Sequence, residues 1–157
     1  MATDAATAFQ TVIRADPAVV FMLVSELELW PALIPHIHSA RVLQRMGTRR
    51  LVSVRASWHG VPVGWRAIQL SEPEHGRVTF RHLVPISRGT TVTWTVRALD
   101  ASTVVLRVEQ QVRLARFVPG RRLMTGFLTH RVGPEMARSM LDRIREIAEG
   151  GSLAGMQ

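Results

Sequence analysis

Residues 91–114 read TVTWTVRALDASTVVLRVEQQVRL, and the reading of this stretch decides the fold. Val92, Trp94, Val96 and Ala98 alternate with Thr91, Thr93, Thr95 and Arg97. After a turn at Leu99 to Ser102, Val104, Leu106, Val108, Gln110, Val112 and Leu114 keep the same beat, opposed by Arg107, Glu109 and Arg113. A period of two sustained this long is the mark of half-buried antiparallel strands, one face covered and the other in water.

The beat extends upstream to Ile37. Val52, Val54, Ala56 and Trp58 continue the covered face, then Val63, Trp65, Ala67 and Gln69, then Val78, Phe80, His82 and Val84. Ser53, Arg55, Ser57, Arg66, Arg77, Thr79 and Arg81 take the opposite side. Turn signals at Arg45 to Gly47, His59 to Pro62, Ser71 to Gly76 and Pro85 to Gly89 complete the division of 37–114 into six strands with short connections, which predicts a meander. Farther upstream, Phe9, Thr11 and Ile13 put a further strand over Ala8 to Ala15, giving seven. Asp16-Pro17 then supplies a helix start, with a side-chain acceptor at the cap and a ring lacking N–H in the first turn. The helix is predicted through Val19, Val20, Leu23, Val24 and Leu27 to Trp30-Pro31, with a second short helical turn over Trp30 to Pro35.

Downstream, Gly120 to Glu149 reads as a helix with a stripe of Leu123, Phe127, Met136, Met140, Ile144 and Ile147, kinked or split at Gly133-Pro134. This helix is the element available to cover the apolar face. Gly150-Gly151 ends it, and 150–157 is expected to be a loose tail. The expectation is one α+β domain over 1–157 with its core at about 8–149: a curved seven-stranded antiparallel sheet around a long C-terminal helix, with two short helices after the first strand.

Composition narrows the function classes. The chain has no cysteine, which removes disulfide scaffolds, zinc–thiolate sites and thiol nucleophiles. It lacks an apolar run long enough to span a bilayer and opens with no signal-peptide pattern, so a cytoplasmic location is expected. All 20 basic residues are arginine and the formal charge is +8. They are dispersed, with adjacent pairs only at Arg49-Arg50 and Arg121-Arg122, and many fall on the wet face of the sheet; a nucleic-acid partner is therefore not expected.

The segment Trp30-Pro31-Ala32-Leu33-Ile34-Pro35-His36-Ile37-His38-Ser39-Ala40-Arg41-Val42-Leu43, together with Asp16-Pro17, Gly64-Trp65 and Trp94-Thr95-Val96, resembles the START and polyketide cyclase superfamily. The likeness runs from about Phe9 to Glu149. It implies the helix-grip fold and a deep apolar cavity between sheet and long helix, holding a hydrophobic or polyaromatic small molecule. Small bacterial aromatase/cyclases of this superfamily are the nearest in pattern. They commonly carry Trp-x-Ser-x-Arg on the fourth strand, where this chain has Trp65-Arg66-Ala67-Ile68-Gln69, with Ala67 and Gln69 at the serine and arginine positions.

Three polar side chains interrupt the covered face: Gln69, His82 and Gln110. A buried polar group without a partner costs about 1–3 kcal/mol, so each calls for a protein, water or ligand contact. With regular hairpin register His82 lies across from Trp65 and close to Trp94, with Gln110 on the same transverse band. The candidate catalytic set is therefore His82, titrating near neutrality as proton shuttle, with Gln110 and Gln69 as partners of ligand carbonyls or hydroxyls. Trp58, Trp65, Phe80, Trp94 and Val108 are the expected ligand-binding walls, and Met136 and Met140 an adaptable roof.

Arg116, Arg121 and Arg122, with Arg131 nearby, form the densest basic cluster. For a poly-β-ketone cyclase they would dock an acyl carrier protein. His36 and His38 share a face of an extended segment but find no third metal ligand in a recognisable pattern, and Glu72 and Glu74 flank Pro73 in a solvated turn. No metal or cofactor is expected, and homodimerisation stays open. The function expected is that of a polyketide aromatase/cyclase, binding a poly-β-ketone or aromatic intermediate and promoting aldol closure and dehydration. The alternative is a non-catalytic carrier or sensor of a lipid, quinone or polyketide.

Overall fold

A computed structural model describes residues 5–83, 89–114, 119–120, 122–124 and 131–150. Val84, Arg116, Arg121, Phe127 and the tail after Gly150 lie outside the described residues.

The strands follow from the alternation. They are β1 (Ala5–Ile13), β2 (Ile37–Met46), β3 (Arg49–Trp58), β4 (Val61–Glu72), β5 (Arg77–His82), β6 (Thr91–Asp100) and β7 (Thr103–Val112). All neighbours are antiparallel in the order β1-β7-β6-β5-β4-β3-β2, so the chain meanders from β2 to β7 and β1 closes on the last strand. Phe9 faces Val108 and Ile13 faces Val104, which brings Phe9, Thr11 and Ile13 onto the covered face as the sequence indicates.

Turn chemistry sets the register. His59 and Gly60 both have positive φ (48° and 78°), the two-residue hairpin geometry whose twist matches the flanking strands. Gly76, at φ 60°, ends a 3-10 turn over Pro73–His75, and a Cβ there would meet the Val96 carbonyl oxygen at 2.3 Å. Only glycine permits that approach.

Among the described residues, three helices lie over the inner face. Helix α1 (Pro17–Ser25) starts where the Asp16 carboxylate accepts from the Ala18 N–H at 2.8 Å. It stops at Ser25, short of the predicted Trp30: Glu26 leaves the helical dihedrals at ψ 74°, and the Gln69 amide donates at 2.7 Å to the Ser25 carbonyl that the helix end frees. A 3-10 turn (Leu27–Leu29) leads into α2 (Trp30–Leu33), anchored by the Trp30 indole on the Leu23 carbonyl at 2.9 Å.

Helix α3 (Gly133–Ala148) keeps Pro134 in its first turn, where a missing N–H is harmless. It buries Ala137, Leu141, Ile144 and Ile147. Ile144 and Ile147 of the predicted stripe are buried as expected, whereas Met136 and Met140 flank it and Leu123 is 81% exposed, a correction of the upstream part.

Both flanks of α3 are held. On one, Glu135 meets His59 of the β3–β4 turn at 2.8 Å and Arg143 donates to the Leu33 carbonyl at 2.7 Å. On the other, the Arg138 guanidinium lies 5.0 Å over the Phe9 ring and Glu149 accepts from the Arg14 N–H at 3.1 Å. The sheet thus grips the helix from β1 on one side and the β3–β4 turn on the other.

Candidate functional site

Burial along the inner face is uneven. At one end Ile13, Val52, Val78, Val104 and Leu106 are completely buried beneath α1, α2 and the later turns of α3. At the other end Phe9, Val63, Trp65, His82, Val92, Gln110 and Met140 are only partly covered. Those side chains point inward by the same alternation, so what differs is the cover above them. The accessible half is a mainly apolar floor carrying a few polar groups, the composition of a small-molecule site.

Register fixes where each candidate lies. Gln69 faces Phe80, Phe80 faces Val92, and Val92 faces Gln110, which in turn faces Thr7 of β1. Gln69 and Gln110 therefore share one transverse row. His82 belongs to the next row, opposite Ala67, not Trp65. The Trp65 ring reaches it diagonally, stacked at 5.9 Å between centroids with an interplanar angle of 11°. Trp94 is on the row of Val78 and Val108, two rows from His82, so its expected closeness to His82 is corrected. The cause is the β5–β6 connection: the His82 N–H bonds the Thr90 carbonyl at 2.9 Å, and this pairing sets β6 farther along than a regular tight hairpin would.

The three polar groups have different surroundings. Gln69 is wholly buried; its NH2 donates to the Ser25 carbonyl and to Ser71 Oγ at 3.1 Å. Its Oε1 is buried without a hydrogen-bond partner among the described residues. The side chain ties the sheet to the end of α1. Gln110 is partly exposed at the open end, beside β1. Burial pushes the His82 imidazole from its usual 6.5 down to about 4, because the charged form loses solvation there. It is neutral at pH 7, so the expectation that it titrates near neutrality is corrected.

The aromatic candidates separate in the same way. Phe80 and Trp94 are 4% and 2% exposed, Phe80 against the Trp30 ring at 5.6 Å, and Val108 is wholly buried; these form the base of the site. Trp65 and Trp58 lie at the accessible end. Met140 packs on the core edge, and Met136 joins Trp58 in a depression of about 160 Å³ with His36, Ser57, His59, Glu135 and Ser139. Arg122 is exposed.

Sequence reasoning passed over that depression as a unit. His36 and His38 do not converge on a shared ligand position: His38 bonds Ser57 Oγ at 2.9 Å, while His36 Nε2 is buried without a hydrogen-bond partner among the described residues. Burial, and then the neighbouring His38, lower the His36 pKa. The one available signal was His59 in a two-residue hairpin loop, a position that favours glycine or asparagine.

The profile of the family described as "polyketide cyclase / dehydrase and lipid transport" matches residues 13–145. No curated protein has a matching sequence. Among solved structures, the Zhui aromatase/cyclase from Streptomyces sp. R1128 is similar over 95% of this chain and 99% of its own, at 16% identity and a TM-score of 0.83. TTHA0849 from Thermus thermophilus is similar over 98% and 100%, at 20% identity and a TM-score of 0.80. The di-domain aromatase/cyclase BexL from the BE-7585A biosynthetic pathway is similar over 90% of this chain and 45% of its own, at 22% identity and a TM-score of 0.74.

Proposed function

Because the chain belongs to the polyketide cyclase/dehydrase and lipid transport family, we propose that it holds a poly-β-ketone or aromatic polyketide intermediate on the accessible half of its inner face and promotes aldol cyclisation and dehydration. The observation that carries this reading is the partly covered apolar floor at Trp65, Val63, Val92 and Phe9, with His82 and Gln110 set into it. A flat ring would lie on Trp65. His82 Nδ1 or Nε2 and the Gln110 amide would hydrogen-bond the carbonyl and enol oxygens of the chain. A neutral imidazole can donate one hydrogen bond or accept one, so His82 orients the reacting carbonyl and relays a proton between oxygens without carrying a charge. Most of the acceleration then comes from holding enol carbon and carbonyl carbon in contact, a term that reaches many orders of magnitude in well-aligned systems. Gln69 braces the wall behind them. Arg122, with Arg116 and Arg121 of the same segment, would receive an acidic acyl carrier protein.

The lowered pKa of His82 also favours the second reading, a carrier that binds without turnover, since a base of pKa about 4 withdraws carbon-bound protons poorly. Supplying a nascent poly-β-ketone and identifying the products by mass spectrometry separates the two. Cyclisation predicts one dominant product, with at least a tenfold loss in His82→Ala and Gln110→Ala. Stoichiometric binding with the spontaneous product mixture would leave the carrier.

A further inference from the structure

The outer face of the sheet carries a feature the inner site does not use. Four consecutive strands each place an exposed arginine in one band across this face: Arg41 on β2, Arg55 on β3, Arg66 on β4 and Arg81 on β5. Arg41 faces Ser53, and Ser53 faces Arg66. Arg55 faces Ser39 and Gly64, which makes it the diagonal neighbour of both Arg41 and Arg66. Arg81 faces Ile68, diagonal to Arg66. Diagonal neighbours on one face lie about 7–8 Å apart, so the four form a zigzag across the sheet roughly 20 Å long. Ser39, Ser53 and Gly64 fill the gaps with little bulk.

Neighbouring like charges repel, and four other arginines of the sheet sit beside a carboxylate that offsets them. Arg45 pairs with Glu28, Arg50 with Glu26, Arg77 with Glu72 and Arg107 with Glu109. Among the described residues none of the four zigzag arginines has a carboxylate partner. Apolar side chains bracket the row: Leu83, following Arg81 and bonded through its N–H to the Arg66 carbonyl, is 38% exposed, and Leu43, two residues after Arg41, is 46% exposed.

We propose that this face docks on a bilayer surface of anionic phospholipid, the arginines on headgroup phosphates and Leu43 and Leu83 at the boundary with the acyl chains. The β2–β5 rows of the outer face carry no aromatic side chain on which a nucleobase could stack. A row of guanidiniums with exposed leucines at both ends matches a surface that is anionic outside and apolar just beneath. The orientation leaves the inner site facing away from the bilayer, so docking is independent of the proposed chemistry.

The test is co-sedimentation of the whole protein with phosphatidylcholine vesicles, with and without phosphatidylglycerol. Binding is expected only with phosphatidylglycerol. Arg55→Glu/Arg66→Glu should weaken it by about 25-fold or more, each arginine near such a surface being worth about fivefold. Arg14→Glu/Arg97→Glu, with the same change of net charge away from the zigzag, should change it by less than about threefold, and His82→Ala should bind as the parent does. Equal loss in the two double variants would reduce the effect to net charge and overturn the proposal, as would no binding to either vesicle. Binding of pyrophosphate, duplex DNA or polyglutamate that depends on Arg55 and Arg66 while vesicles stay free would overturn it in favour of that anion.

Discussion

At the scale of single residues, His82 and Gln69 illustrate two fates of a polar group on a covered face. His82 keeps its imidazole inside by staying neutral, whereas Gln69 keeps its amide inside by binding the Ser25 carbonyl. The first leaves a trace in stability. The folded pKa of about 4 is below the ordinary 6.5, so between those values the unfolded chain binds a proton that the folded chain refuses. Stability therefore rises with pH across that window and is lost as pH falls through it, by at most about 3 kcal/mol from this one group. Urea denaturation at pH 6.5 and pH 4.5 should show the drop in the parent and a markedly smaller one in His82→Gln. Gln69→Ala should cost about 2–4 kcal/mol at pH 7, through the void and the abandoned Ser25 carbonyl. An equilibrium denaturation curve unmoved by that substitution would contradict the bracing role. That Gln69 is buried was legible in the alternation; that its partner is the end of α1 was not, because nothing local links residues 25 and 69.

At the scale of elements, the strands and the final helix were readable almost to their ends, but the phase of that helix's buried stripe was not. Each strand carries its own alternation from Val52 to Val112, and turns such as His59-Gly60 punctuate it, so local information suffices. The helical stripe is different, since Met136 and Met140 stand one residue before Ala137 and Leu141, and local spacing does not tell which of the two pairs the sheet covers. Leu141→Ala should therefore cost about 2–5 kcal/mol, while Leu123→Ala should change stability by less than about 0.5 kcal/mol; thermal melts of the two would reverse if Leu123 rather than Leu141 belonged to the buried stripe. Gly76→Ala belongs to this scale as well. Its positive φ and the Val96 carbonyl in its path should cost more than about 2 kcal/mol, read as a lowered denaturation midpoint.

At the scale of the whole molecule, the sheet divides into a solid half and an accessible half, and α3 is gripped between β1 and the β3–β4 turn. The order of elements and the identity of the inward-facing residues were open to reading from the chain, because both follow from period and turn chemistry. The row on which each residue falls was not. The long β5–β6 connection sets β6 against β5, and it separates Trp94 from His82 while aligning Gln69 with Gln110. The outer arginine zigzag was hidden for the same reason: residues 41, 55, 66 and 81 look dispersed until the register brings them together. The proposed ligand floor is thus a property of the assembled sheet. Its most direct test is a titration with 1,8-dihydroxyanthraquinone, a flat hydroxylated polycycle, followed by NMR of the four indole N–H signals and the His82 ring. Binding on the accessible half predicts saturable shifts at Trp65 and His82, with Trp30 and Trp94 little changed; shifts confined to other signals, or none at saturating ligand, would contradict it.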